Sequence, residues 1–161
     1  MTPKDFIAQL TGPAHQLQKE SKIPASVTIA QAALESAWGA HAPGANLFGI
    51  KADKSWNGAV VVFNTHEVIG GVSKPVIAQF RAYKTWLGSL EDHAQFLLTN
   101  ARYKPCFATT NPLDFCKQLQ VCGYSTSPTY ASMLIEIIKL ALFSSFESGL
   151  LVSWKLPLVK K

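Results

Sequence analysis

The spacing of apolar residues predicts a mostly helical chain. Residues 4–20 repeat apolar positions at the helical period, although Gly12-Pro13 interrupts the pattern. The positions that share this face are Phe6, Ile7, Leu10, Ala14 and Leu17. Three further helices are predicted over residues 86–100, 111–122 and 128–141.

The segment from Pro24 to Gly39 has the composition of a strong helix. It is rich in Ala and Leu, has no Pro or Gly inside, and is opened by Pro24 with Ser26. Its core-facing stripe consists of Val27, Ala30, Ala33, Leu34 and Ala37. We expect this helix to end near Gly39-Ala40, because glycine is frequent at helix C-termini.

Two segments rich in β-branched residues predict one β-hairpin. They cover residues 59–65 and 76–83, and the stretch between them contains Gly70-Gly71. We expect a longish tip, with Glu67 at the outgoing end of the first strand. Residues 144–161 mix apolar and basic positions, which is typical of either a packed extra helix or a loose tail.

Length and composition indicate a single domain over residues 1–161. The chain is 48% hydrophobic, which is sufficient for one core. The predicted fold class is therefore α+β and mostly α, with a helical body, a β-hairpin lobe and a cleft between them. No apolar run approaches bilayer length, so we expect no membrane insertion. The N-terminus lacks a secretory layout, so we expect synthesis in the cytoplasm without a signal peptide.

The formal net charge of +5 suits an anionic partner such as a cell wall, a membrane surface or nucleic acid. The basic residues are scattered along the chain, and no RNA-binding signature accompanies them. We therefore expect no nucleic-acid partner.

The cysteines and histidines predict no cofactor or metal. Cys106, Cys116 and Cys122 match no zinc or redox spacing, and their odd number leaves at least one unpaired. Buried free thiols are favoured, while one disulfide involving Cys106 after export stays open. His66 and His93 have no partner pattern that indicates metal binding.

Glu35 is the candidate general acid. It lies off the core-facing stripe of its predicted helix, on the same flank as Gln31 and Thr28, and Trp38 follows three residues later. An indole against a carboxyl removes water from the carboxyl and raises its pKa, which keeps a proton available near neutral pH. The alternative is a solvated surface glutamate, and for a lone Glu that alternative is the commoner one.

Four segments in order resemble the family-73 glycoside hydrolases, the peptidoglycan N-acetylglucosaminidases of bacteria and phages. The segments are Ala33–Gly39, Asn46–Lys51, Phe80–Tyr83 and Gly123–Ala131, and the resemblance covers about residues 20–142. It implies a lysozyme-like helical fold with a β-hairpin lobe. It also implies hydrolysis of the β-1,4 bond that follows N-acetylglucosamine in glycan strands, without a cofactor.

The resemblance carries residue roles onto this chain. Glu35 matches the general acid, Glu67 falls where many members have a second acidic residue, and Tyr124 matches a tyrosine near the N-acetyl group. Tyr130 matches the second aromatic residue of that motif. Ser127 stands where aspartate is common, and we expect it to cap the following helix as aspartate would. Ser125, likewise, stands where alanine is common.

Several of these roles have structural alternatives. Trp38, Asn46, Phe48 and Tyr130 are predicted to bind substrate, although packing is the favoured explanation for Phe48. For Asn46, shaping the groove and a purely structural role are equally consistent with its buried neighbours. Glu67 is either a base that activates water or a solvated hairpin charge. If it is not the base, the N-acetyl oxygen of the substrate attacks instead, held by Tyr124.

Two other functions stay open from sequence alone: a muramidase, and a non-catalytic module that binds the cell wall. The expected partner in each case is the peptidoglycan glycan strand. We expect the protein to act in the periplasm or cell wall. Delivery by a secretion system and release by phage lysis are both consistent with this expectation. An effector of the first kind requires an immunity protein that occludes the cleft.

Overall fold

The computed structural model describes residues 1–69 and 72–144, and this part of the chain is mostly helical with one two-stranded antiparallel sheet. The helices are α1 (Pro3–Ser21), α2 (Ala25–Ser36), α3 (Trp86–Thr99), α4 (Pro112–Val121) and α5 (Tyr130–Ser144). The strands are β1 (Val60–Ile69) and β2 (Val72–Arg81), and short 3₁₀ helices cover Pro43–Ala45 and Ala101–Ala108. The predicted fold class is confirmed.

Helix α2 lies inside the body. Every residue of α2 except Ser26 and Glu35 is buried, because α1, α4 and α5 all pack against it. The sequence indicated a helix with one apolar stripe, but the small side chains of Ala30, Ala32 and Ala33 let neighbouring helices approach from several sides. Glu35 is thus the point in the last turn where α2 reaches solvent.

Helix α2 ends at Ser36, three residues before the predicted end at Gly39. Ala37 and Trp38 both have positive φ, and the N–H of Trp38 donates to the carbonyl of Ala33. The indole of Trp38 meets the ring of Phe6 edge-on, with centroids 5.9 Å apart. The expectation that Trp38 follows Glu35 on the same helix surface is therefore wrong, since the chain leaves the helix between them.

Helix α1 runs through Gly12-Pro13 without a break, so the expected interruption does not occur. Its buried face, formed by Phe6, Leu10, Ala14 and Leu17, holds the helix together across the missing hydrogen bond of Pro13. The helices predicted over residues 86–100, 111–122 and 128–141 are confirmed within a few residues. Residues 145–161 lie outside the described residues.

The hairpin strands are longer than predicted, because pairing continues to Ile69 opposite Val72. The tip that we predicted at Gly70-Gly71 lies outside the described residues. At the base, the hairpin is joined to the body by backbone hydrogen bonds from Arg81 to Ile50 and from Ala52 to Gln79. Beyond the base, several of the side chains that the structure describes on the strands are exposed, such as Ile77 at 75%.

Within residues 1–69 and 72–144, no helix is both long and apolar enough to cross a bilayer. All three cysteines are free thiols, with Cys106 and Cys116 buried and Cys122 partly exposed. The sulfurs of Cys106 and Cys122 lie 3.9 Å apart, which joins the 3₁₀ helix at Ala101–Ala108 to the end of α4.

This thiol pair predicts the product of oxidation. With glutathione disulfide, which accepts the two electrons and leaves as two glutathione thiols, we expect Cys106 and Cys122 to form the disulfide. Cys122 attacks first because it is partly exposed, whereas burial raises the pKa of both Cys106 and Cys116 to about 12. The 3.9 Å between the sulfurs of Cys106 and Cys122 then selects Cys106 as the thiol that completes the disulfide. Peptide mapping by mass spectrometry measures the linkage. Cys116→Ser is the matched control that keeps it, and a link to Cys116 in the wild type would contradict the prediction.

Candidate active site

Glu35 is held from behind by a buried tyrosine. It lies in the last turn of α2 and is half-buried, and the hydroxyl of Tyr130 donates to its Oε1 at 3.0 Å. Tyr130 is the first residue of α5 and has no exposed surface. The buried packing of α5 on α2 therefore fixes where the carboxyl of Glu35 stands.

A second buried side chain holds Tyr130. The amide Nε2 of Gln31 donates to the hydroxyl oxygen of Tyr130 at 3.0 Å, and Gln31 is fully buried. Gln31 lies one helical turn before Glu35 on α2, so both residues reach the same phenol. The result is a continuous chain of hydrogen bonds from Gln31 through Tyr130 to Glu35.

An aromatic stack continues from Tyr130 into the body. The ring of Tyr124 stacks on that of Tyr130, with centroids 5.4 Å apart and planes 18° apart. The hydroxyl of Tyr124 is 3.0 Å from Nε2 of His93, and the His93 ring stacks on Phe48 at 3.7 Å. These contacts connect the motif that contains Phe48 with the motif that contains Tyr124, through a histidine of α3.

The two tyrosines stay neutral. Burial raises the pKa of Tyr124 and of Tyr130 well above 10, and the charge of Glu35 raises both further. Tyr130 therefore keeps the proton that it donates to Glu35 throughout the pH range in which proteins normally work.

The loop before α5 is shaped by a short turn. Gly123 adopts a left-handed conformation with a φ of 71°, and the N–H of Tyr124 then donates to the carbonyl of Leu119. Ser127, which was predicted to cap the following helix, accepts the N–H of Thr129, just before α5, at 3.4 Å. The side chain of Gln120 accepts the N–H of Ala131 at 2.8 Å.

The structure revises two predicted substrate-binding residues. Phe48 has no exposed surface and Asn46 is 3% exposed, so neither offers a face to a sugar. Asn46 donates to the carbonyls of Ile50 and Arg81 and accepts the N–H groups of Phe48 and Ile50. Its role is to hold the loop at residues 46–50 against the base of the hairpin.

The other two predicted binding residues also have structural contacts. Trp38 is partly buried against Phe6, and Tyr130 lies behind Glu35 rather than beside it on the surface. Glu67 lies within β1, and its Cα is paired with that of Lys74 near the far end of the hairpin. Its role stays a prediction.

The segment Phe80–Tyr83 fastens the hairpin to α3. Nη1 of Arg81 donates to both carboxylate oxygens of Asp92, at 2.9 and 3.0 Å, and the hydroxyl of Tyr83 donates to the same carboxylate. Arg81 also lies 4.6 Å from the centre of the Trp56 ring. Among the described residues, no group of three His, Cys, Asp or Glu side chains is arranged to hold a metal.

The family model for glucosaminidases, described as mannosyl-glycoprotein endo-β-N-acetylglucosaminidase, matches residues 12–142, which include every site residue named above. The chain belongs to this family. The resemblance inferred from the four sequence motifs is thereby confirmed.

Relatives of this glucosaminidase-family chain include peptidoglycan hydrolase FlgJ of Salmonella typhimurium and exo-glucosaminidase LytG of Bacillus subtilis. FlgJ is 38% identical over 143 residues, which cover 84% of this chain and 45% of FlgJ. LytG is 37% identical over 142 residues, which cover 83% of this chain and 50% of LytG. The chain thus spans about half the length of the curated relatives that it matches.

Solved structures of family members have the same fold. The glycoside hydrolase domain of Salmonella typhimurium FlgJ superposes with a TM-score of 0.77 at 35% identity, covering 91% of this chain and 92% of that domain. The catalytic domain of the autolysin Auto from Listeria monocytogenes gives 0.78 at 33% identity, covering 90% of this chain and 87% of that one. The expected lysozyme-like architecture is confirmed.

Sequence reasoning gave no role to two residues of this site. Gln31 was recognisable only as a neighbour of Glu35 on one helix flank, since its partner Tyr130 is 99 residues away. His93 was assigned to a helix face, and its contact with Tyr124 spans 31 residues. Neither long-range contact leaves a local pattern in the sequence.

We predict that Tyr124→Phe lowers the free energy of unfolding by about 1–3 kcal/mol, because the buried hydrogen bond to His93 is lost while the stacked ring is kept. Urea denaturation measures this change. Tyr83→Phe provides the comparison, since it removes a hydrogen bond to Asp92 at the hairpin base. An unchanged unfolding midpoint for Tyr124→Phe would show that the contact with His93 does not stabilise the fold.

Proposed function

We propose that this chain is a peptidoglycan hydrolase that cleaves the β-1,4 bond following N-acetylglucosamine, with Glu35 as its general acid. The observation that carries the proposal is the hydrogen bond from the buried Tyr130 hydroxyl to the half-buried carboxyl of Glu35. A solvated surface glutamate has no need of such a partner. Glu35 is also the residue through which the last turn of α2 reaches the surface.

Glycoside cleavage requires a proton for the leaving oxygen while positive charge develops at the anomeric carbon. Glu35 supplies this proton, and the C–O bond breaks with its electron pair moving to the leaving oxygen. The carboxylate that remains on Glu35 is stabilised by the neutral hydroxyl of Tyr130, which points at Oε1 before the reaction begins.

Two routes serve the developing positive charge. Glu67 acts as a base that activates water from the opposite face of the sugar, or the N-acetyl oxygen of the substrate attacks the anomeric carbon itself. The pairing of Glu67 in β1 with Lys74 places it far along the hairpin, on an element whose base is fixed to the body. For Glu67 to act as the base, a glycan held between hairpin and body has to bring its scissile bond to both carboxyls.

The substrate class is supported by the names of the relatives. FlgJ is named a peptidoglycan hydrolase, LytG an exo-glucosaminidase, and a further relative from Enterococcus faecalis an autolysin. The net charge of +5 also suits an anionic cell wall. We infer the periplasm or cell wall as the site of action. A secreted effector and a phage endolysin would both act at this location. Only an effector would require an immunity protein as a partner.

We predict that Glu35→Gln lowers hydrolysis of purified peptidoglycan by about 10²–10⁴-fold. The amide still accepts the hydrogen bond from Tyr130 but has no proton to give to the leaving oxygen. Mass spectrometry of the soluble products measures the result, and the wild type should release N-acetylglucosamine at reducing ends. Glu136→Gln is the matched control, because Glu136 is an exposed carboxyl on α5 paired only with Lys139 among its described contacts.

Each other outcome rejects part of this function. Reducing-end N-acetylmuramic acid would identify a muramidase. Full activity in Glu35→Gln would remove Glu35 as the acid. Binding of the wild type to the wall without any product would indicate a binding module.

A separate prediction concerns Glu67. If Glu67 is the base, Glu67→Gln loses activity and azide restores it, because the small anion replaces the missing carboxylate. The readout is turnover of peptidoglycan with and without azide, together with detection of a glycosyl azide. Lys74→Gln, at the paired position on β2, provides the control for general effects on the hairpin. Activity that survives in Glu67→Gln would favour the route through the N-acetyl group.

A further inference from the structure

The buried amide of Gln31 is only half satisfied. Its Nε2 donates to the hydroxyl of Tyr130, whereas its Oε1 is buried and has no hydrogen-bond partner within the described part of the chain. A buried polar atom without a partner lowers stability, so most such atoms in proteins are paired. The position of Gln31 beside Tyr130 therefore calls for a reason other than stability.

The chemistry of the three groups gives the hydrogen bonds one direction. The Nε2 group of an amide only donates, an ionised carboxylate only accepts, and a phenol has a single proton. When Gln31 donates to the oxygen of Tyr130, the proton of Tyr130 is free to point at Oε1 of Glu35. If the amide were reversed, its oxygen would compete with Glu35 for that same proton.

We propose that Gln31 is a positioning residue that directs the hydroxyl proton of Tyr130 onto Glu35 and so stabilises the carboxylate formed when Glu35 releases its own proton. This inference rests on the proposed role of Glu35 as general acid. The proton leaves Glu35 for the glycosidic oxygen, the C–O bond breaks, and Tyr130 stays protonated throughout.

The benefit is greatest in the transition state. A hydrogen bond to an ionised acceptor is about twice as strong as one to a neutral acceptor, so the bond from Tyr130 strengthens as charge appears on Glu35. Because Gln31 occupies the phenol oxygen beforehand, the hydroxyl does not have to reorient during the reaction. Burial of Gln31 and Tyr130 excludes water that would otherwise compete for these bonds.

The neighbouring tyrosines keep their protons while Glu35 releases its own in the proposed reaction. The hydroxyl of Tyr130 on α5 donates to Glu35, the ring of Tyr124 stacks on that of Tyr130, and burial raises the pKa of both tyrosines. Nε2 of His93 on α3 contacts the hydroxyl of Tyr124, and the ring of Tyr124 in turn stacks on that of Tyr130. On α2 itself, Gln31 carries no charge.

Gln31→Met tests the proposal, because it keeps the side-chain length and removes the donor. Loss of support for the carboxylate should raise the pKa of Glu35, so the alkaline limb of the kcat/KM profile moves to higher pH. The maximal rate should fall by about three- to tenfold, which corresponds to one lost hydrogen bond. A purely structural role would lower stability without moving the pH profile.

The same effect is measurable without turnover. Titration of the Glu35 carboxyl by ¹³C NMR should show its pKa rising in Gln31→Met and rising further in Tyr130→Phe. In the Tyr130→Phe background, Gln31→Met should then have no additional effect, because the relay has already been removed. Ser89→Ala is the matched control: it removes the buried hydroxyl that accepts the N–H of Leu47, a hydrogen bond outside the chain from Gln31 through Tyr130 to Glu35, and should leave the Glu35 titration unchanged.

The outcomes separate this proposal from the proposed function. If the Glu35 titration is the same in Gln31→Met and the wild type, the proposal is wrong whether or not the protein hydrolyses glycan. If the pKa of Glu35 changes in Gln31→Met but Glu35→Gln remains fully active, the direction of the hydrogen bonds is confirmed and their role in catalysis is rejected. Should Gln31→Met fail to fold, Gln31→Leu provides the same comparison, because it also removes the donor and adds no charge. Its effect on Glu35 must likewise shrink in the Tyr130→Phe background.

Discussion

The burial of α2 on nearly all sides is the constraint on which the site depends. A helix that is enclosed by three others cannot solvate its polar side chains, so Gln31 has to find a partner inside the protein. That partner is Tyr130, which is itself buried and reaches Glu35 where the last turn of α2 meets solvent. Core packing and the placement of the candidate acid are thus a single structural problem with a single solution.

The sequence predicted the elements well where local periodicity decides them. The apolar repeats of α1, α3, α4 and α5 placed these helices within a few residues of their observed bounds. The end of α2 was misplaced because Ala37 adopts a left-handed conformation that alanine rarely takes. Local hydrogen bonds to Ala33 and Ser36 hold the chain there, together with the tertiary contact between Trp38 and Phe6.

The candidate site was predictable as a set of motifs but not as a set of contacts. Glu35 and Tyr124 were identified by resemblance, while the burial of Phe48 and Asn46 follows from how the loop at residues 46–50 packs under the hairpin. Hydrogen bonds that join residues 31 or 99 positions apart leave no local signal in a single sequence. The sequence therefore predicted the catalytic residues of the site but not the buried hydrogen bonds that hold them.

The fastening of the hairpin at one end gives it the mechanics of a lever. Asn46 and Asp92 both hold Arg81 at the base, whereas several of the described side chains farther along the strands are exposed. Glu67 lies seven residues beyond Val60, about 23 Å along the strand. A rotation of about 10° at the base would therefore displace the backbone of Glu67 by about 4 Å, so a small angular change at the fixed end becomes a shift of nearly the width of a sugar ring near the far end.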